Sequence, residues 1–140
     1  WVSPQELGLG TVTVRFVRDN DGTGSAIIPD AAEVAAVQAY IDARRPVTAQ
    51  VTVVAPAAVP LNFQINGLTP NNATVQAAVQ AELQDLLLRE AVPGGKILLS
   101  HIRAAISAAA GETDYVLLSP SSNVTNTTGA MSTMGTITWS

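Results

Sequence analysis

From Gly10 to Val17 the chain reads GTVTVRFV, setting Val12, Val14 and Phe16 against Thr11, Thr13 and Arg15. Strand side chains point alternately to opposite faces, so this period of two predicts a half-buried strand. The turn formers of RDNDGTGS interrupt it. The period then lengthens. Between Pro29 and Arg45, Val34, Val37 and Ile41 recur at helical spacing with Tyr40 alongside. Asp30 is a natural N-cap, and Glu33 three residues on completes a capping box. Pro46 removes a donor and disfavours helical geometry at Arg45, which stops the helix there. VTAQVTVVAP, from Val47 to Pro56, predicts a second strand.

After Pro60 the pattern starts again. LNFQING alternates Leu61, Phe63 and Ile65 and predicts a strand ending at Gly67. Thr69–Val92 is the clearest helix, with Val75, Val79, Leu83, Leu86 and Glu90 stepping by threes and fours. Asn71 or Asn72 caps its start, and Pro93-Gly94-Gly95 closes it. LLSHIRAAISAAAG predicts a shorter helix capped by Ser100 and stopped by Gly111. DYVLLSP is a strand, SSNVTNTTGA a polar loop and MGTITWS a short last strand.

The resulting order is β-α-β followed by β-α-α-β-β. It implies an α+β fold of two packed strand-helix-strand units, with small mixed or antiparallel sheets and about three helices. The expected boundary puts a first unit at 1–57 and a second at 58–140, two halves that a short apolar linker, APAAVP, also allows to form one compact domain.

Composition narrows the partners. At 140 residues the chain fits about one ordinary domain. Its apolar share is 47%, mostly Ala, Val, Leu and Ile, with only two Trp, two Tyr and two Phe. That mixture suits small interlocking elements better than a large aromatic pocket. Charged residues make up 13%, against about 25% in ordinary soluble domains, a first hint of surfaces covered by neighbours. The net charge of −4 and the lack of a basic cluster beyond Arg44-Arg45 argue against nucleic acid. With no cysteine there is no thiol nucleophile, disulfide or cysteine-containing zinc site. No apolar run reaches the ~18 residues of a membrane span. The opening WVSPQELGLG has neither an initiator Met nor a signal pattern, so Trp1 reads as an internal position of a longer protein.

Few residues are candidates for chemistry. Asp19, Asp21, Thr23 and Asp30 fall at positions one, three, five and twelve of a calcium-binding loop, with Gly24 at six. A strand precedes that loop, Pro29 interrupts it, and Asp30 is needed as an N-cap. A solvated strand-to-helix loop is the preferred reading, and no metal or cofactor is expected. His101 stands alone without the partners of a triad or metal site. Pro93–Lys96, PGGK, resembles a phosphate loop but lacks its spacing. Arg44 and Arg45, placed in the last helical turn, complement the negative end of the helix dipole, and an anion contact stays open for them. Asn72, Asn123 and Asn126 lie in glycosylation sequons that matter only in a eukaryotic secretory protein. No acid, base and nucleophile converge.

Order and spacing nevertheless resemble a known family. RPVTAQVTVVAP, the GKILLSHI turn-to-helix step, and DYVLLSP closing on MGTITW are similar to the C-terminal part of the baseplate J-like family of Mu-type contractile phage tails. The resemblance covers nearly the whole chain. It implies a non-enzymatic structural role in the baseplate wedge, made in the bacterial cytoplasm and built into the virion. The implied partners are other wedge proteins and copies of itself, with no nucleic acid, membrane span or small-molecule substrate. Two other readings compete: a calcium- or glycan-binding extracellular module using DNDGTGS and the late Ser/Thr/Asn loop, and an enzyme whose catalytic half lies before Trp1.

Overall fold

A computed structural model describes residues 1–18 and 27–140. The chain divides into two compact units, Trp1–Ala57 and Ala58–Ser140. Among the described residues three helices accompany small mixed and antiparallel sheets, so the fold is α+β, as the periodicities imply.

In the first unit β1 (Val2–Pro4), β2 (Thr11–Arg15) and β3 (Gln50–Val54) form one sheet in that order. β1 runs antiparallel to β2, with Val2 opposite Val14. β2 and β3 are parallel, from Thr11 beside Gln50 to Arg15 beside Val54. Parallel neighbours need a crossover, and α1 (Ala31–Asp42) lies within that connection and packs on β3. Its start is the expected capping box: the Glu33 N–H donates to Asp30 Oδ1 and the Asp30 N–H to Glu33 Oε2, both at 2.9 Å.

Two expectations for this unit fail. In β2 the polar residues Thr11, Thr13 and Arg15 are the buried ones, while Val12 and Val14 are half-buried. As the middle strand β2 is paired along both edges, and two of its buried polar residues are satisfied, whereas the Thr13 hydroxyl is buried with no hydrogen-bond partner among the described residues. The Thr11 hydroxyl donates to the Gly8 carbonyl at 2.7 Å, and Arg15 is neutralised by Glu6. α1 also ends at Asp42, before the two arginines. The Arg44 and Arg45 N–H groups both turn back to the Ile41 carbonyl, at 2.9 and 2.8 Å, in a tight turn that finishes at Pro46. On the expected face Val34, Val37 and Ile41 are half-buried, but Tyr40 is exposed.

The second unit is built on β4 (Ala57–Thr69), the middle strand between β6 (Asp114–Ser119) and β8 (Ala130–Trp139). β4 starts within the expected linker and does not stop at Gly67. Gly67 takes φ +65°, a conformation open to glycine, and the register against β6 slips there, so that Leu68 is buried next after Ile65. α2 (Ala73–Glu90) is capped by Asn72, whose Oδ1 accepts the Val75 N–H at 3.0 Å. It buries Val75, Val79, Leu83, Leu86 and Leu87, leaving Glu90 half-buried. α2 packs on β8 and on α3 (Leu99–Ala108) around Phe63, Ile65, Ile102, Ile106 and Met131.

Short-range signals missed three features here. Ser100 sits inside α3 rather than capping it; Leu98 is the cap residue, and Asn123 reaches across the sequence to accept the Leu99 N–H at 2.9 Å. A pair of two-residue strands, β5 (Lys96–Ile97) and β7 (Val124–Thr125), crosses the expected polar loop. β8 begins at Ala130, earlier than the expected Met134, because Met131 and Ser132 are buried. Where β8 runs beside β4, a Cβ on Gly135 would lie 2.3 Å from Asn62 Oδ1 and 2.6 Å from the Leu61 carbonyl oxygen. Only glycine fits.

Candidate functional site

Most residues singled out by the sequence are occupied by the fold itself. Asp19, Asp21 and Thr23 lie outside the described residues. Asp30, the fourth of that set, caps α1, and its carboxylate also faces the Arg18 guanidinium at 3.4 Å. Arg18 binds Glu33 more closely, at 2.6 Å. Among the described residues no group of three or more His, Asp or Glu side chains is placed to hold a metal ion.

Arg44 and Arg45 shape a turn. Arg45 Nε donates to Asp42 Oδ1 at 2.6 Å, and its Nη1 donates to the Ala49 carbonyl. This donor and that of Gln38 hold the Asp42 carboxyl below its ordinary value. Arg44 donates to the Tyr40 carbonyl at 3.2 Å, and its guanidinium lies 3.8 Å from the centre of the Tyr40 ring. Neither arginine lies in the last helical turn as expected: Arg44 reaches back to a carbonyl of that turn, whereas Arg45 pairs with the Asp42 carboxylate and the Ala49 carbonyl.

The PGGK turn offers no phosphate cradle. Its Gly94 N–H donates to the Ala130 carbonyl at 2.8 Å and its Gly95 N–H to the Val92 carbonyl at 2.9 Å. A phosphate loop needs such amides pointing outward and unpaired. The sequon asparagines are equally committed. Asn72 caps α2, Asn123 caps α3, and Asn126 Nδ2 donates to Ser132 Oγ at 2.9 Å.

His101 contacts an acid rather than a nucleophile. Its Nδ1 lies 2.9 Å from both carboxylate oxygens of Glu90 and ties α3 to α2. Beside this pair runs a shallow groove of about 290 Å³ between Glu82 and Leu86 of α2 and Ala104 and Ala108 of α3. Arg89, Glu90 and His101 line it too, but no serine, threonine, cysteine or lysine does, so the paired acid and imidazole have no such nucleophile beside them.

What the fold displays instead is surface. On the outer side of the β6-β4-β8 sheet, Asn62, Gln64, Val116, Leu118, Thr136 and Thr138 are exposed and uncharged, and Asp114, in step with Val116 and Leu118, adds a charge at the start of β6. Depletion of charge is a mark of interface cores. The alternation of Asn62 and Gln64 with Leu61, Phe63 and Ile65 already contained half of that face. In the first unit, the tip of the β1–β2 turn exposes Leu7 and Leu9, and Val47 is fully exposed.

Three elements escaped sequence reasoning. Arg15 and Glu6 form a two-pronged ion pair at 2.6 and 2.5 Å, with the arginine only 9% exposed. The Arg15 donors hold the Glu6 carboxyl below its usual value, and Glu6 in turn raises Arg15. Gln38 Oε1 accepts the Val53 N–H at 2.7 Å while its Nε2 donates to the Val51 carbonyl at 3.1 Å. Its signal was present: a polar residue four positions after Val34, on an otherwise apolar helix face. The third is the Asn123 cap of α3, which is twenty-four residues away in sequence and has no local signature.

Comparison with known proteins accounts for both units. Residues 61–140 match the baseplate J-like protein C-terminal domain, and residues 1–55 match the baseplate J-like central domain. The protein JayE of Escherichia coli (strain K12) is 33% identical over 140 residues, covering 99% of this chain and 52% of JayE. The Mu-like prophage FluMu protein gp47 of Haemophilus influenzae is 32% identical over 149 aligned positions, covering 99% of this chain and 41% of that protein. The baseplate protein gp47 of Escherichia phage Mu shows the same 32% identity, with 40% of its length covered. The chain therefore spans about half, or less, of these relatives.

Proposed function

The chain belongs to the baseplate J-like family, and on that premise we propose that it is a structural part of the baseplate wedge of a contractile phage or prophage tail. The observation that carries this reading is the match to two successive domains of the family, which together take in nearly all of the sequence. In this role the chain works in the virion after synthesis in the bacterial cytoplasm. It contacts other baseplate proteins and further copies of itself, and it catalyses nothing.

The physical features agree with that role. Away from Asp114 at the start of β6, the outer face of the second unit's sheet can be covered without the desolvation penalty that buried, imperfectly paired charges impose. The low charge of the whole chain has the same consequence. No described helix is long and apolar enough to cross a membrane.

The test is genetic and visual. Deleting the gene from an inducible prophage should yield tails without baseplates, and supplying it in trans should restore them. Complete baseplates in the deletion would remove the proposal. So would a defect cured by supplying the product of a reaction.

A further inference from the structure

The described asparagines are committed to the fold with one exception. Asn62 accepts from Thr136, Asn71 from Gln76, Asn72 from Val75 and Asn123 from Leu99, and Asn126 donates to Ser132. Asn66 is exposed on β4, and its carboxamide has no hydrogen bond among the described residues. It is also the only asparagine of the chain that precedes a glycine. Gly67 has no Cβ to crowd its amide nitrogen, and its φ of +65° sets it at the slip in the β4–β6 register. A free carboxamide beside an uncrowded amide is the combination that ring closure needs.

One contact opposes it. The Gly67 N–H donates to the Ser140 carbonyl at 2.9 Å, and the Ser140 N–H donates to the Ile65 carbonyl at 3.1 Å, which clamps the end of β8 over the reacting nitrogen. We propose that Asn66-Gly67 is a deamidation site of this protein, gated by the opening of the Ser140 clamp. When the clamp opens, the Gly67 nitrogen gives up its proton to solvent hydroxide and attacks Asn66 Cγ. The new C–N bond forms as the Cγ–NH₂ bond breaks, and ammonia leaves carrying a solvent proton. Water then adds to one of the two ring carbonyls of the succinimide and yields aspartate or isoaspartate at position 66. Either product adds a carboxylate to a sheet face whose other charge is Asp114 at the start of β6, among the uncharged Asn62, Gln64, Thr136 and Thr138. This inference does not depend on the baseplate reading.

The rate of a reaction that requires local opening scales with the fraction of open molecules. Peptide mass spectrometry after incubation at mildly alkaline pH reads conversion at each asparagine. The expected result is conversion at Asn66 ahead of every other described asparagine, about tenfold slower in the folded chain than in urea. Ser140→Pro removes the donor to Ile65 and should bring the folded rate toward the urea rate, and Asn66→Gln should abolish the signal. Another described asparagine converting first would overturn the site, and equal rates in the folded chain and in urea would overturn the gate. Should Ser140→Pro fail to fold, hydrogen exchange at the Gly67 amide of the wild type takes its place. Exchange and conversion must then accelerate together in mild denaturant, and conversion that stays flat while the amide opens overturns the gate.

Discussion

The carboxamide of Gln38 behaves toward Val53 as a neighbouring strand would. It accepts the Val53 N–H at 2.7 Å and returns a donor to the Val51 carbonyl at 3.1 Å, on the edge of β3 that no described strand covers. One side chain of α1 thereby docks the helix and occupies a sheet edge that would otherwise be open to pairing.

Replacing Gln38 by Leu keeps the bulk but leaves that N–H and carbonyl unpaired against an apolar group. The expected loss is about 1–3 kcal/mol, read as a lower midpoint in urea. Gln38→Glu retains the acceptor and loses the donor, so it should fall between Leu and wild type. A Leu variant as stable as wild type would show that the edge does not need the plug.

The Glu6–Arg15 pair predicts how stability depends on acid. Glu6 is depressed in the folded chain, first by the Arg15 hydrogen bonds. Its contribution is therefore complete above the unfolded carboxylate value of about 4.3 and is lost as pH falls through the lower folded value. Glu6→Gln should leave a flatter acid limb in a plot of unfolding midpoint against pH. An unchanged slope would mean that the pair does not hold in solution.

Gly135→Ala forces a methyl group into the space held by Asn62 Oδ1 and the Leu61 carbonyl. Overpacking of this kind costs about 1–3 kcal/mol, and more where backbone must move. Thermal unfolding measures it. Alanine at Gly8, where the same Cβ meets nothing within 4 Å but φ is +116°, reports backbone strain alone, whereas Gly135 has no positive φ and reports collision alone.

The cap of α3 separates a local reading from the observed one. Asn123→Ala should destabilise by about 1 kcal/mol, while Ser100→Ala should change the unfolding midpoint little. The reverse order would restore the cap that the sequence suggested.

Legibility in the sequence followed the range of the interaction. α2 was readable because Val75, Val79, Leu83 and Leu86 repeat every three or four residues, and all four are buried. The capping box of α1 was readable because Asp30 and Glu33 are three residues apart. β5 and β7 were invisible: two-residue strands have no period, and Ile97 meets Val124 only through a distant pairing. The faces of β2 were misread because an arginine is buried once a glutamate nine residues away neutralises it. The charge-poor sheet face was only half legible. Asn62 and Gln64 alternate within one strand, but Val116 and Thr136 join them only after β6 and β8 flank β4.

The baseplate reading is tested most directly on that face. A chain carrying Gln64→Lys and Thr138→Glu keeps the buried side of the sheet and the Thr136–Asn62 hydrogen bonds, so it should unfold near the wild-type midpoint. Supplied in trans to a prophage lacking the gene, it should fail to enter tails isolated by sedimentation, whereas the wild-type chain enters them with a baseplate present. Wild-type chain missing from finished tails, with baseplates intact, would contradict the account.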